Sequence, residues 1–415
     1  MAASGIVTSG IRERFQSVLE KVASSWAVTP DGSLSSSEFS IHFYEAALVQ
    51  LLQREGTNLS ETEFVQCVSG AARDLVKTGK VSVDEFNKAF SHRASLVLKK
   101  RKKKYFAICR LGFSIHGEFW VPIDFMGIRA CICKDPPPNM DTSEFFLSGH
   151  GRVNPNEPLH GLFLIVGPRS SRSSAGALDA LSDDINAILG LIALWVGYSR
   201  LTHHIGEIRP LTNIRPGKNI TIYNENLTRV EDFMGYFTDY AENAKILSRR
   251  DQDILSYVVN VAPSYCILDK PRREYFATAL RLYHDAVTER HPDAQVTKLW
   301  KLAEFATFSE GGRVEQIAKR LALTWEDRDF IYAVASAAGQ RRNTIAHHSG
   351  SGVSAEEISE YFRYILGVFL VRAISKKIKN LSSWRSVLEI GSSKFDLGSL
   401  GDAVKFLESI SKNKN

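Results

Sequence analysis

The sequence predicts an α+β protein, predominantly α. Apolar residues recur at helical spacing through the first hundred residues and again over 270–385, whereas apolar/polar alternation is confined to 105–223. At 415 residues, with 44% hydrophobic and 24% charged content, the chain is long enough for two or three domains with substantial cores. The expected layout is a helical bundle over 1–104, a mixed α/β sensor domain with a small sheet over 105–265, an all-α bundle over 270–385 and a C-terminal tail over 386–415.

In the first zone, helical periods and caps predict helices over 11–22, 39–52, 61–76 and 84–99. Two segments, 31–39 and 78–86, carry the second half of an EF-hand loop: Gly, an aliphatic residue two later, then Glu-Phe. Ala27 and Thr29 replace opening carboxylates of one loop, and Val76 occupies a ligand position of the other, where only Asp74 is acidic. A degenerate pair with poor or no Ca²⁺ binding is one reading; ordinary turn chemistry is the other. Six consecutive cations follow, Lys99, Lys100, Arg101, Lys102, Lys103 and Lys104. They read either as a nucleic-acid contact or as a solvated helix end.

The middle zone alternates over 105–115, 119–125, 129–133, 161–166 and 220–223, which predicts four or five strands separated by Pro- and Asn-rich turns. Helices over 175–201 and 230–262 should cover the sheet, the first through Ile185, Ile188, Leu189, Ile192 and Trp195. Between strand and helix, the Ser-rich stretch from Gly167 to Gly176 carries Arg169 and Arg172. It reads as a flexible loop or as an anion pocket at a helix N-terminus, without P-loop spacing.

The C-terminal zone is well punctuated. Thr324 with Asp327 suggests a capping box opening a helix with apolar Phe330, Ile331, Val334, Ala337, Ala338 and Ile345; Ser and Gly residues over 349–352 end it. Ser354 and Glu357 offer a second box before an apolar helix over 361–378.

The end of the first of these helices reads Arg341-Arg342-Asn343-Thr344-Ile345-Ala346-His347-His348. A permanently charged fork for phosphate, a carboxamide and an imidazole that titrates near neutrality thus lie close together. Spacing alone is weak, because Arg110 and His116 repeat it inside a strand-like alternation. Asn343 and His347 share a helical face, but Arg342 and His347, five apart, are splayed by about 140° on an unbroken helix. Either the helix relaxes near Ala346 or two copies of the motif meet across a dimer axis.

The motif Arg342-Asn343-x-x-x-His347 on the penultimate helix of a helical module resembles the HEPN superfamily, most closely the HEPN domains of abortive-infection and other antiviral effectors. The resemblance covers roughly residues 270–385. It implies a homodimeric, metal-independent endoribonuclease with catalytic Arg342 and His347, support from Asn343, and RNA, tRNA included, as substrate. It also implies a toxin-like antiviral effector released by an unknown trigger ligand or protein. Arg341 and His348 satisfy the looser spacing, and Glu304 either orients Arg342 or faces solvent.

The chemistry asks for the same parts. Cleavage through the 2′-hydroxyl requires a proton acceptor, charge stabilisation of the phosphorane and a proton donor for the departing 5′-oxygen, which suits His347 and Arg342. Three competing readings remain: a helix-terminal cluster complementing the helix dipole, a non-catalytic nucleotide- or RNA-binding module, and an EF-hand-like signalling scaffold.

Net charge +6 permits RNA as a partner. Five Cys without CxxC pairing predict reduced thiols and no zinc site; His203-His204 with Glu207 reads as a loop, and no metal or cofactor is expected. No signal-peptide layout is present, and the apolar runs over 188–198 and 365–374 are too short for a bilayer, so a cytoplasmic protein with no membrane partner is expected.

Overall fold

The computed structural model of the chain describes residues 6–35, 40–52, 54, 56–115, 120–138, 140, 162–197, 210–237, 239–241, 244–347, 355–375 and 380–392. The fold is α+β and predominantly α.

The first zone packs α1 (Arg12–Ser24), α2 (Ser40–Gln50), α3 (Glu61–Thr78) and α4 (Val83–Lys99) around a core of their own, in which Phe15 meets Phe86 and Phe64 meets Phe90 edge to face, and Phe86 stacks on Phe90. Ser60 opens α3 with a reciprocal capping box: its hydroxyl accepts from the Glu63 backbone while the Glu63 carboxylate accepts from its own.

The two segments with EF-hand-like spacing fall between α1 and α2 and between α3 and α4. The first segment is a short hairpin, β1 (Ala27–Val28) with β2 (Leu34–Ser35), whose Asp31 carboxylate accepts from Ser33 and Thr29 within the turn. In the second, α3 runs on to Thr78 and ends on left-handed Gly79, so the positions that would open a calcium loop, Asp74 and Val76 among them, are helical. Asp74, the one acid of that loop, lies inside α3 and forks with Arg93 of α4 at 2.7 Å.

Strands β3 (Lys103–Leu111), β5 (Trp120–Phe125), β6 (Ile128–Cys133), β7 (Phe163–Ser171), β8 (Pro216–Asn224) and β9 (Arg229–Tyr236) form one antiparallel sheet in the order β5-β6-β7-β3-β8-β9. Short β4 (Phe113–Ser114) and β10 (Lys245–Ile246) pair in parallel beside it. Two expectations are corrected. Residues 230–262 are not one helix: β9 pairs along β8, and only α6 (Arg249–Val261), capped by Ser248, is helical before a 3₁₀ turn. The expected loop from Gly167 is strand as far as Ser171, where β7 ends, and helix from Ser174.

One face of the sheet packs on α5 (Ser174–Gly197), which is buried nearly all round. It has 24 residues and an 18-residue window of mean hydropathy 1.4, long and apolar enough to cross a membrane, contrary to the short spans expected, yet 67% of that window is buried inside the fold. The remaining helices, α7 (Lys270–Thr288), α8 (Pro292–Ala306), α9 (Val314–Ala322), α10 (Arg328–His347), α11 (Ala355–Ser375) and α12 (Leu381–Ser392), join the same core, so apolar packing runs unbroken across residue 265. Helix α12 crosses the expected start of the tail at residue 386 and is anchored by Trp384 and Leu388.

Helices α5 and α7 meet backbone to backbone at Gly190, where a Cβ would sit 2.1 Å from the Leu280 carbonyl oxygen. Alanine would gain about 1 kcal/mol of helix propensity there, but the clash is with backbone and cannot rotate away. Gly190→Ala is therefore expected to lose roughly 2 kcal/mol or more in urea unfolding; a neutral variant would refute the close contact.

His284 faces the same seam, fully buried, its Nε2–H donating to the Ile214 carbonyl at 3.1 Å. Burial lowers its pKa from 6.5 to about 4. The unfolded chain then binds the extra proton, so this contribution is full above pH 6.5 and is lost as pH falls toward about 4. The loss is on the order of 3 kcal/mol. Unfolding midpoints at neutral and mildly acid pH should fall more steeply for the parent chain than for His284→Gln.

Candidate functional site

The helix that carries the motif starts later than its sequence suggests. Asp327 accepts from the Phe330 backbone N–H at 3.1 Å and caps α10, whereas the Thr324 hydroxyl donates back to the Leu321 carbonyl and closes α9. From Arg328 the helix runs without interruption through Ala346 to His347. Ile331, Ala335 and Ala338 bury its inner face, and Gly339 lets the Trp300 ring approach. No relaxation occurs before His347, so within one chain Arg342 and His347 stay about 140° apart around the axis.

The two arginines behave differently. Arg341 is 11% exposed, and its Nε and Nη2 donate to Asp293 Oδ1 at 3.1 and 2.8 Å, tying the end of α10 to the first turn of α8. Arg342, half-exposed, donates from Nη1 to the Asn343 carboxamide oxygen at 3.1 Å. Among the described residues no carboxylate forms an ion pair with it. Asn343 is exposed. The backbone of His347 closes the helix; its side chain, and all of His348, 349–352 and Ser354, lie outside the described residues.

Glu304 orients neither arginine. It accepts from the Trp300 indole at 3.1 Å, one turn away on α8. The carboxylate that does meet the motif, Asp293, is 48 residues from Arg341. Its one sequence signal is the His291-Pro292-Asp293 helix start, which places an acid in a first turn without naming its partner.

The second candidate anion site is already filled from within. Arg169, on β7, forks onto both oxygens of buried Asp184. At the start of α5 the Ser173 hydroxyl caps Gly176 and donates to Glu63 of the N-terminal bundle, whose Oε1 would lie 2.8 Å from a Cβ on Gly176. A helix N-terminus attracts an anion, and here the chain supplies its own carboxylate. Lys99 to Lys104 are all exposed, and Arg172 is half-buried.

Among the described residues no group of three or more His, Cys, Asp or Glu side chains is arranged to hold a metal ion, and all five cysteines are free. His203, His204 and Glu207 lie outside the described residues. No protein family, curated protein or solved structure matches the chain.

The difference between the arginines is measurable. Arg341→Ala should lower the unfolding free energy by about 1 kcal/mol, because it removes a partly exposed ion pair and the packing of a buried stem. Arg342→Ala should leave thermal unfolding unchanged within error. Equal destabilisation by both would mean that Arg342 also holds the helix end.

Proposed function

We propose that the chain is a metal-independent endoribonuclease of the HEPN type, with Arg342 and His347 catalytic and Asn343 in support. One observation carries the reading. Of two adjacent arginines on α10, one is committed to Asp293, whereas the other lies toward solvent and, among the described residues, has only a neutral carboxamide as its partner. A guanidinium without a neutralising carboxylate is what a phosphorane needs, and an exposed carboxamide beside it adds a neutral polar contact.

The unbroken helix supports assembly by two copies. With Arg342 and His347 splayed on one chain, a two-fold axis at the end of α10 would let the imidazole of one protomer approach the arginine of its partner. It would also supply two imidazoles, one to take the 2′-hydroxyl proton and one to protonate the leaving 5′-oxygen. The substrate is RNA, tRNA included, met in the cytoplasm, and the biological role is that of a regulated effector in antiviral abortive infection. The shared core of sheet and C-terminal helices offers a route by which a trigger ligand or protein bound elsewhere could restrain or release the site.

The test is cleavage of total RNA and tRNA by purified protein in EDTA, beside Arg342→Ala and His347→Ala. Removing either group should cost roughly 2 to 4 kcal/mol of transition-state stabilisation, on the order of thirtyfold to a thousandfold in rate. Products should end in 2′,3′-cyclic phosphate, and specific activity should rise with protein concentration if two copies build the site. RNA that binds and stays intact would move the module to the non-catalytic binding class.

A further inference from the structure

The basic run at the junction of α4 and β3 has no part in the cleavage reading, and the helix end accounts for only a third of it. Lys99 closes α4 and Lys100 caps it, where cations complement the helix dipole. Arg101 and Lys102 lie beyond the helix, and Lys103 and Lys104 open β3. All six are exposed, and among the described residues no carboxylate forms an ion pair with any of them.

Strand pairing adds to the corner. Lys103 stands opposite Ser171 and Lys104 opposite Ser170 on β7, and Arg172 follows directly, so two serines and a seventh cation border the run. Ion pairs elsewhere bind many of the chain's other cations, among them Arg93 to Asp74, Arg281 to Asp183 and Lys298 to Asp239, Asp285 and Glu289. The charge count sharpens the point. The run holds six positive charges and the whole chain nets +6, so all other residues together carry as many acids as bases. This corner alone carries as many positive charges as the excess of the whole chain.

We infer that the α4–β3 corner is a binding surface for a nucleic-acid phosphate backbone, RNA in particular. The phosphate chemistry stands on the corner alone; the choice of RNA over DNA rests on the ribonuclease reading. An anionic membrane is the poorer fit, because basic runs that hold membranes work beside an apolar helix face or a spanning helix. The apolar face of α4 is spent in the bundle, with Phe86, Phe90 and Ala94 buried there, and Leu96 alone is left prominently exposed. Serines and cations on adjacent strands instead offer hydrogen-bond donors and charge to a flexible polyanion without base readout.

The test uses the full chain with Arg342→Ala and His347→Ala, so that nothing is cut, and compares it with the same protein also carrying Arg101→Gln, Lys102→Gln, Lys103→Gln and Lys104→Gln. Matching unfolding midpoints establish that the surface variant folds. Anisotropy titrations with single-stranded uridine and deoxyuridine oligonucleotides are run across a salt series, beside co-sedimentation with phosphatidylserine vesicles. Expected is a loss of affinity for RNA of at least about tenfold at low salt, with the slope of log K against log salt falling by about 0.7 for each phosphate contact removed. Equal affinities and slopes in the two proteins, absence of RNA binding, preference for DNA, or a loss seen only with vesicles would overturn the assignment. Failure of the nuclease reading stays separate, since the chain with intact Arg342 and His347 would then hold RNA through this corner and leave it uncut.

Discussion

The arrangement depends on the burial of α5. From Ile185 onward this helix is apolar nearly all round and cannot lie on a surface, so neighbouring layers are placed to cover it. The sheet takes one side through Ile220, Ile222 and Leu164, α7 takes another through Ala279 and Leu280, and α6 and α11 close the remainder. Both ends are tied as well. Asp179, near the start, accepts from the Thr62 backbone at 2.9 Å and from its hydroxyl at 2.6 Å, which docks the N-terminal bundle. At the far end the Gly197 carbonyl accepts from Arg363 of α11 at 2.8 Å. One helix therefore connects the bundle, the sheet and the helices that carry the candidate site.

Burying so much backbone leaves helix ends to be satisfied, and the chain uses arginine for the purpose. Arg320, buried on α9, donates to the carbonyls of Thr307 and Phe308 and to the Ser309 hydroxyl, filling the frayed end of α8. Arg363 treats α5 in the same way, with Glu360 balancing its charge at 2.9 Å. Removing either would strand carbonyls away from water. Against this pattern Arg342 differs, since among the described residues it serves no helix end across the fold and binds only the residue beside it.

Local pattern made much of this legible. Alternation located β3, β5, β6, β7 and β8, and helical period located the four helices of the bundle. The segment from Val230 was misread because Val230, Phe233 and Met234 also fit a helical stripe, and only the ladder to β8 breaks the tie. The cap of α10 was misplaced by three residues because Thr324 and Asp327 are equally good caps on paper, and Thr324 is used by the preceding helix. For the site, Arg342, Asn343 and the backbone of His347 lie where the helical reading put them. Asp293 and Glu63 were invisible, since the partners of both are fixed by tertiary packing rather than spacing.

That distinction between local and tertiary information bears on how such a site could be restrained. Arg341 is locked by α8, and α8 is packed through Trp300, stacked on Phe362 of α11 with centroids 5.9 Å apart. Helix α11 in turn grips the end of α5 through Arg363. The end of α10 therefore cannot shift without disturbing α8, and a shift of α8 would be felt at α11 and α5. Sub-ångström movements in a close-packed core resolve into discrete rearrangements rather than smooth bending. Because Arg341 is committed and Arg342 is not, a change in the docking of α8 would alter the bearing of Arg342 without removing any group from it, so a trigger acting on the sheet or the bundle could work by orientation alone.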